Sequence, residues 1–236
     1  MTDLPEAVLF DMDGLLVDTE PVWSIAESEL AASFGGVFSP ELKAAIVGTR
    51  LEVAVPTILR WYGAPDGPAD AERAAQWLMD RMVELFATDL VVLPGVLDLL
   101  AALRSVGVPV ALVSSSYRVL VDAVLAQGIG PFALTVAGDE VRHGKPHPEP
   151  YLTAAARLGV DPARCVVLED SPSGVASGQA AGCAVVAVPS VAGVAFTEAE
   201  RRLVLSDLVG LDVARLGGLV SHPASAAAGT GTEPNR

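Results

Sequence analysis

The second half of the chain alternates between short apolar runs and longer helical segments, which constrains the fold more than any other sequence feature. The predicted strands are valine-rich and cover residues 108–113, 132–137, 165–168 and 184–188. Segments with the apolar spacing of helices lie before and between them, at residues 96–106, 119–127, 148–158 and 172–181. Apolar runs that barely alternate with polar residues are typical of strands covered on both faces. We therefore predict an α/β fold with a Rossmann-like three-layer core and a parallel sheet.

Residues 18–88 follow a different pattern, with helical spacing throughout and no strand-like run. Helices are predicted at residues 23–30, 40–47, 51–62 and 69–86, with breaks rich in glycine, proline and aspartate. A predicted strand at residues 7–10 precedes this segment. We therefore expect residues 18–88 to form a four-helix cap inserted into a core made of residues 1–17 and 89–220.

The predicted first strand runs directly into two aspartates, Asp11 and Asp13, followed by Gly14. Side chains two apart on a strand point to the same face, so both carboxylates are aimed from the carboxyl end of the strand. Open α/β sheets bind ligands at that edge. A pair of like charges there is costly unless a cation or a shared proton offsets it. The pair therefore predicts a functional site.

Polar residues also follow other predicted strands of the same sheet. Ser114, Ser115 and Ser116 come directly after residues 108–113, and Glu169 and Asp170 come directly after residues 165–168. Lys145 lies in a loop after the strand at 132–137. In a parallel sheet these groups converge on one crevice. Hard oxygen ligands beside a hydroxyl and an ammonium group suit Mg²⁺ with a bound phosphate.

These residues resemble the motifs of the haloacid dehalogenase (HAD) superfamily, and the resemblance covers nearly the whole chain to about Leu216. The first motif is matched by residues 11–20, DMDGLLVDTE, and the second by Ser114 at the end of a strand. The third is matched by Lys145 in KPHP, and the fourth by the acidic pair 169–170 in LEDS. A helical cap between the first two motifs resembles the branch that contains sugar-phosphate phosphatases and β-phosphoglucomutase.

The resemblance implies a role for each matched residue. Asp11 would be the nucleophile that becomes an aspartyl phosphate, and Asp13 the general acid and then the general base. Mg²⁺ would be bound by Asp11, the backbone carbonyl of Asp13 and Asp170, with Glu169 as a direct or water-mediated ligand.

Further residues would bind the transferring phosphoryl group. Ser114 and Lys145 are implied by the resemblance, and Ser115 is a further candidate. Thr19 is predicted to cap the next helix or to act as a hinge for the cap.

The cap is expected to determine the substrate, and Arg50, in the segment Gly-Thr-Arg, is the candidate for a substrate contact. Mutases of this branch place the arginine one residue later, where this chain has Leu51, and they favour Lys-Asn where it has Tyr117-Arg118. Residues 10–23 look most like hexose- and hexitol-phosphate phosphatases. We therefore predict a phosphatase for a small sugar or polyol phosphate. A β-phosphoglucomutase-like mutase is the alternative, and a catalytically silent phosphate-binding protein is a third class.

The net charge of −14 argues against nucleic acid and anionic membranes as partners. The sequence contains no apolar run long enough to span a bilayer and no basic segment followed by an apolar targeting segment, so a cytoplasmic protein is expected. We also expect a monomer whose partner is a small phosphorylated metabolite. His143 and His147 flank Lys145 and, without a third histidine at suitable spacing, are predicted to be loop residues. A last helix is predicted at residues 211–216, followed by a disordered tail at residues 221–236.

Overall fold

The computed structural model describes residues 4–46, 49, 51–190 and 193–221. Its strands are β1 (Ala7–Phe10), β2 (Val17–Asp18), β3 (Val91–Val92), β4 (Val110–Val113), β5 (Leu134–Val136), β6 (Cys165–Glu169), β7 (Ala184–Ala187) and β8 (Arg202–Val204). Six of them form a fully parallel sheet in the order β5-β4-β1-β6-β7-β8. The predicted α/β fold with a parallel sheet is confirmed.

Helices cover both faces of this sheet, as the near-continuous apolar strands require. Outside the cap segment they are α5 (Val96–Ser105), α6 (Arg118–Leu125), α7 (Glu149–Leu158), α8 (Pro172–Ala180) and α9 (Val213–Val220). Alternate side chains of β1 enter different clusters: Val8 and Phe10 pack with α5, α6 and α9, whereas Ala7 and Leu9 pack with α7 and α8. Every residue of β1, β4, β6 and β7 is buried.

Four helices lie between β2 and β3, in the segment predicted to be helical. They are α1 (Glu20–Ser33), α2 (Pro40–Ile46), α3 (Leu51–Trp61) and α4 (Pro68–Asp89), and we call them the cap. Contacts join α1 to α4, α2 to α3 and α3 to α4, and α4 also contacts α6. No helix among the described residues has both the length and the apolar character needed to cross a bilayer. The exact division of the chain into core and cap stays a prediction.

The two segments that connect the cap to the rest of the chain, β2 and β3, pair with each other. In this short antiparallel ladder Val17 lies opposite Val92 and Asp18 opposite Val91. Asp13 also forms an isolated bridge with Val17, so the ribbon is joined to the strand end that carries the two aspartates. The sequence pattern did not predict β2 or β3, because two-residue strands leave no periodicity to detect.

Two features near the end of the chain differ from the predictions. Strand β8 was not predicted, because its half-buried residues begin with an arginine and form no apolar run. The last helix begins at Val213 instead of residue 211, because the Asp212 carboxylate accepts a hydrogen bond from the backbone N–H of Arg215 and caps the helix. The predicted disordered tail falls, apart from Ser221, outside the described residues.

Candidate active site

The predicted site residues lie at the carboxyl edge of the sheet, at the ends of β1, β4 and β6. The backbone N–H of Asp11 donates to the carbonyl of Leu168 (3.0 Å), which places Asp11 beside the end of β6. On the other side of β1, the backbone N–H of Ser114 donates to the carbonyl of Val136 (3.0 Å). The parallel register therefore brings polar residues that are more than a hundred positions apart into one crevice.

Lys145 connects two of the carboxylates. Its Nζ donates to Asp11 Oδ1 (2.5 Å), Glu169 Oε1 (2.6 Å) and the carbonyl of Val113 (2.9 Å). All three hydrogens of the ammonium group therefore have acceptors. The Lys145 side chain is only 3% exposed, so its charge is directed into the crevice. This lysine supplies part of the positive charge that the predicted carboxylate cluster requires.

Burial and charge act in opposite directions on this group. Burial alone would lower the pKa of Lys145, but the charges of Asp11 and Glu169 and their hydrogen bonds outweigh it and raise that pKa. Burial raises the pKa of Asp11 well above its usual range, and the negative charge of Glu169 adds to this effect, while Lys145 opposes it. Asp11 needs positive charge nearby in order to remain ionised.

Glu169 is fully buried and both of its carboxylate oxygens accept hydrogen bonds. Besides Lys145, Oε1 accepts from the hydroxyl of Tyr151 (2.7 Å). Oε2 accepts from the backbone N–H groups of Asp170 (3.1 Å) and Ser171 (3.2 Å) and from the Ser171 hydroxyl (3.1 Å). A Cβ at Gly174 would lie 1.7 Å from Oε1 of Glu169, so only glycine leaves room for this carboxylate. Glu169 therefore has a fixed position from which it orients Lys145.

Asp170 follows Glu169 at the end of β6, and its carboxylate accepts a hydrogen bond from the Ser190 hydroxyl. Burial raises the pKa of Asp170 to about 7; the Ser190 hydrogen bond opposes this shift and the charge of Glu169 adds to it. Gly14 has a φ of 79°, and a Cβ there would lie 2.3 Å from Oδ2 of Asp170. The glycine after the second aspartate is therefore required by both its backbone conformation and its contact with Asp170.

Asp13 has a separate set of partners. Oδ1 accepts from the Thr19 hydroxyl (2.8 Å), and Oδ2 accepts from the hydroxyls of Ser116 (2.8 Å) and Ser114 (3.2 Å). Thr19 is the N-cap residue that precedes α1, but its hydroxyl makes no capping hydrogen bond and donates to Asp13 instead. Three hydroxyl donors thus hold a carboxylate that neighbours Asp11 in sequence but lies in a different hydrogen-bond network.

The structure brings together most of the predicted site residues, in two adjoining groups. Asp11, Lys145, Glu169 and Asp170 form the first group, and Asp13 and Ser114 form the second. Ser115 is exposed on the loop after β4. Arg50 lies outside the described residues.

Four hydrogen bonds to the site carboxylates were not predicted from the sequence. Their donors are Thr19, Ser116, Tyr151 and Ser190. Ser190 follows β7, so extending the strand-end rule to that strand would have found it. Tyr151 left no such signal, since a tyrosine at a buried position of α7 has the spacing of an ordinary core residue.

The carboxylates fit a divalent cation. Asp11, Glu169 and Asp170 each place an oxygen within 4.8 Å of the others, and all three are buried. Lys145 balances only part of this charge. Burial, with the charge of Glu169 adding to it, raises the pKa values of Asp11 and Asp170. Clustered carboxylate oxygens are the ligands that hard cations prefer. The acidic cluster is therefore suited to hold a metal ion.

Comparison with known proteins identifies the family. A family model described as haloacid dehalogenase-like hydrolase matches residues 5–182. The chain belongs to this family. The HAD chain is 33% identical over 207 residues to hexitol phosphatase B of Escherichia coli K12, covering 86% of the chain and 90% of that protein. Other curated relatives, 34% to 37% identical, are also named phosphatases. The predicted family and enzyme class, a phosphoric monoester hydrolase, are confirmed.

Solved structures of HAD proteins share the fold. CbbY from Rhodobacter sphaeroides, solved in complex with phosphate, aligns with a TM-score of 0.78 and 28% identity over 90% of this chain and 99% of that one. β-Phosphoglucomutase from Clostridium difficile aligns with a TM-score of 0.73 over 92% and 98% of the two chains. Its identity of 24% shows a common fold alone.

The stability of the metal-free protein is expected to fall as the pH rises, because of Asp170. Its pKa of about 7 in the folded state lies above the ordinary value of 3.8, so the folded state holds this proton more tightly than the unfolded state. The resulting stabilisation is complete below a pH of about 4 and is lost as the pH passes about 7. Asparagine at position 170 cannot ionise. The free energy of unfolding of Asp170→Asn, relative to that of wild type, should therefore increase across that pH window, by at most about 4 kcal/mol.

Urea unfolding in EDTA across this pH range measures the difference between the two proteins. Asp98→Asn, at an exposed position of α5, provides the control and should follow wild type at every pH. An advantage of Asp170→Asn that does not change with pH would contradict the assignment.

Proposed function

We propose that this HAD enzyme is a Mg²⁺-dependent phosphatase that hydrolyses a small sugar or polyol phosphate through an aspartyl phosphate. The observation that carries the proposal is the pairing of the buried Asp11 carboxylate with Lys145 (2.5 Å) beside Asp170. Phosphoryl transfer depends mainly on positioned charges, and a carboxylate can approach a phosphate dianion only where positive charge offsets the repulsion.

In the first step, Asp11 attacks phosphorus and a bond forms between its carboxylate oxygen and phosphorus. The bond between phosphorus and the ester oxygen breaks, and Asp13, starting as the acid, donates its proton to the departing alkoxide. The hydrogen bonds from Thr19, Ser114 and Ser116 support this role, since they fix Asp13 beside Asp11. Ser114 and Lys145 bind oxygens of the transferring group.

In the second step, a water molecule attacks phosphorus and gives its proton to Asp13, which now acts as the base. The bond between Asp11 and phosphorus breaks, releasing inorganic phosphate and restoring both carboxyl groups to their starting states. Mg²⁺, held by Asp11, Asp170 and the backbone carbonyl of Asp13, with Glu169 as a direct or water-mediated ligand, would supply charge stabilisation on the phosphoryl oxygens.

The sugar or polyol character of the substrate is supported by the relatives named hexitol phosphatase and phosphorylated carbohydrates phosphatase. We propose Ser115 as a further residue that binds the phosphoryl group, and Arg50 as a substrate contact. The mutase alternative is disfavoured by Leu51 and by Tyr117, where related mutases carry arginine and lysine. In this chain the Tyr117 hydroxyl donates to Glu52 of α3 (2.7 Å), so this position connects the loop after β4 with the cap.

Release of inorganic phosphate from a panel of hexose, hexitol and pentitol phosphates tests the proposal. We expect turnover with Mg²⁺ and loss of turnover in EDTA. Interconversion of β-glucose 1-phosphate and glucose 6-phosphate without phosphate release would establish the mutase instead. Binding of panel members without turnover, unchanged in Asp11→Asn, would favour the silent phosphate-binding class.

Thr19→Val is expected to lower kcat by about tenfold and to leave KM nearly unchanged. The substitution keeps the side-chain volume but removes the hydroxyl that donates to Asp13, and one such hydrogen bond contributes up to about 1.5 kcal/mol. Steady-state phosphate release measures both constants. Thr57→Val, where the hydroxyl bonds only within α3, is the matched control and should leave kcat unchanged. A wild-type kcat in Thr19→Val would show that this hydrogen bond does not position the acid.

A further inference from the structure

A second cluster of ligand atoms lies on the outer side of the loop that carries Lys145. His143 and His147 flank the lysine, and their rings lie 4.6 Å apart between centroids. Glu149, at the start of α7, completes the cluster: its Oε2 lies 2.8 Å from Nδ1 of His143 and 4.0 Å from Nδ1 of His147. We call these three residues the histidine cluster. The sequence has no third histidine at suitable spacing, and in the structure a carboxylate takes the third position.

The spacing of the histidine cluster fits a small transition-metal ion. One ligand atom from each residue lies within 4.8 Å of the other two. Ligands bound tetrahedrally to zinc at about 2.0–2.1 Å are separated from each other by about 3.3 Å. The observed separations of 2.8 and 4.0 Å lie on either side of that value. A bound ion would replace the hydrogen bond between His143 and Glu149 (2.8 Å) and draw the three ligand atoms to similar separations.

The backbone around the histidine cluster is held in place, which reduces the ordering that metal binding requires. Oxygens of Glu149 accept from the backbone N–H groups of Arg142 (2.8 Å) and His143 (3.1 Å). The carbonyl of His147 accepts from the hydroxyl of Ser177 (2.6 Å), a fully buried residue of α8. Nδ1 of His147 accepts a hydrogen bond from the backbone N–H of Glu149 (3.2 Å), which fixes the orientation of this ring at the start of α7.

The cluster is also accessible to ions from solution. The side chains of His143 and His147 are 64% and 51% exposed. Both imidazoles are therefore within reach of water and of dissolved ions. The ligands of the histidine cluster also differ in kind from those of Asp11, Glu169 and Asp170, because imidazole nitrogen suits zinc and similar ions whereas an all-carboxylate set suits Mg²⁺.

We propose that His143, His147 and Glu149 form a binding site for Zn²⁺ or a similar transition-metal ion, distinct from the carboxylate cluster in the crevice. A bound ion would join the residues on both sides of Lys145 to the first turn of α7. The loop that positions the buried ammonium group would then be cross-linked on its solvent side.

Titration calorimetry with ZnCl₂ tests this site in the full-length, tag-free protein with Mg²⁺ in excess. We expect one Zn²⁺ per chain, and an affinity at least about tenfold weaker in His143→Asn and in His147→Asn. Zn²⁺ should also raise the Tm of wild type and not that of the two variants, because it binds the folded state. Melting of the metal-free variants at the wild-type temperature shows that both are folded.

Two control variants separate this site from the remaining ligands of the chain. His222→Asn removes the third histidine of the sequence, and Asp170→Asn removes a carboxylate of the crevice. Both should keep the wild-type affinity for Zn²⁺. The proposal is overturned if Zn²⁺ does not bind, if binding is unchanged in both flanking-histidine variants, or if Asp170→Asn abolishes it.

Discussion

Asp11→Asn is expected to lower kcat/KM for phosphate monoesters by at least about 10⁴-fold, the largest effect of any single substitution in this chain. The amide keeps the shape of the side chain and an oxygen that accepts from Lys145, but it offers no anionic oxygen to attack phosphorus. Burial and the charge of Glu169 already raise the pKa of Asp11, so removing its charge should not unfold the protein. The loss is therefore expected in turnover and not in Tm.

Phosphate release measures this loss, and mass spectrometry of acid-quenched enzyme tests its cause. Wild type incubated with substrate should carry one added phosphoryl group, and Asp11→Asn should carry none. Asp98→Asn, an equivalent substitution at an exposed position of α5, should behave as wild type in both measurements. Activity in Asp11→Asn within tenfold of wild type would exclude Asp11 as the nucleophile.

Lys145→Met should have the second largest effect, because it alters both activity and stability. The methionine fills much of the same volume but leaves Asp11 and Glu169 buried without their shared cation. Removing one partner of a buried ion pair costs about 3–5 kcal/mol of stability. Loss of a positioned cation on the transferring phosphoryl group should also lower kcat/KM by about 10²–10³-fold, by analogy with the loss of an oxyanion donor.

The double variant Lys145→Met/Glu169→Gln separates these two effects. Neutralising Glu169 removes one of the stranded charges, so part of the lost stability should return, whereas activity should not. Urea unfolding of wild type, both single variants and the double variant forms a thermodynamic cycle, whose coupling free energy reports the Lys145–Glu169 interaction. A double variant that is less stable than Lys145→Met would contradict the direct pairing of these two residues.

The sequence predicted the sheet and the first group of site residues because both depend on local signals. Buried strands such as β1 are apolar throughout, and the polar residue that follows each strand must lie at the sheet edge. Strand β8, which begins with an arginine and is half-buried, lacks that signal. The order of the strands, which brings Asp11 next to both Ser114 and Glu169, follows from tertiary packing and not from any single segment.

The residues that orient the site were harder to predict, since each acts through a neighbour distant in the sequence. Tyr151 donates to Glu169 from a buried position on α7, where spacing alone indicates a core residue. Thr19 was expected to cap α1 or to serve as a hinge, and its hydroxyl reaches Asp13 because the chain turns back at Gly14. The hydrogen bond from Thr19 to Asp13 depends on this turn, so the local sequence around Thr19 does not predict it.

The pairing of Val17–Asp18 with Val91–Val92 makes the helices between them an exchangeable module. Paired antiparallel strands lie about 5 Å apart, so any replacement segment has only to begin and end at neighbouring points. Such a graft would leave every hydrogen bond of the six-stranded sheet intact, because neither β2 nor β3 belongs to it. A library of helical segments inserted between Thr19 and Val91 would therefore sample new substrate preferences while retaining one set of reacting groups and the hydrogen bond from Thr19 to Asp13.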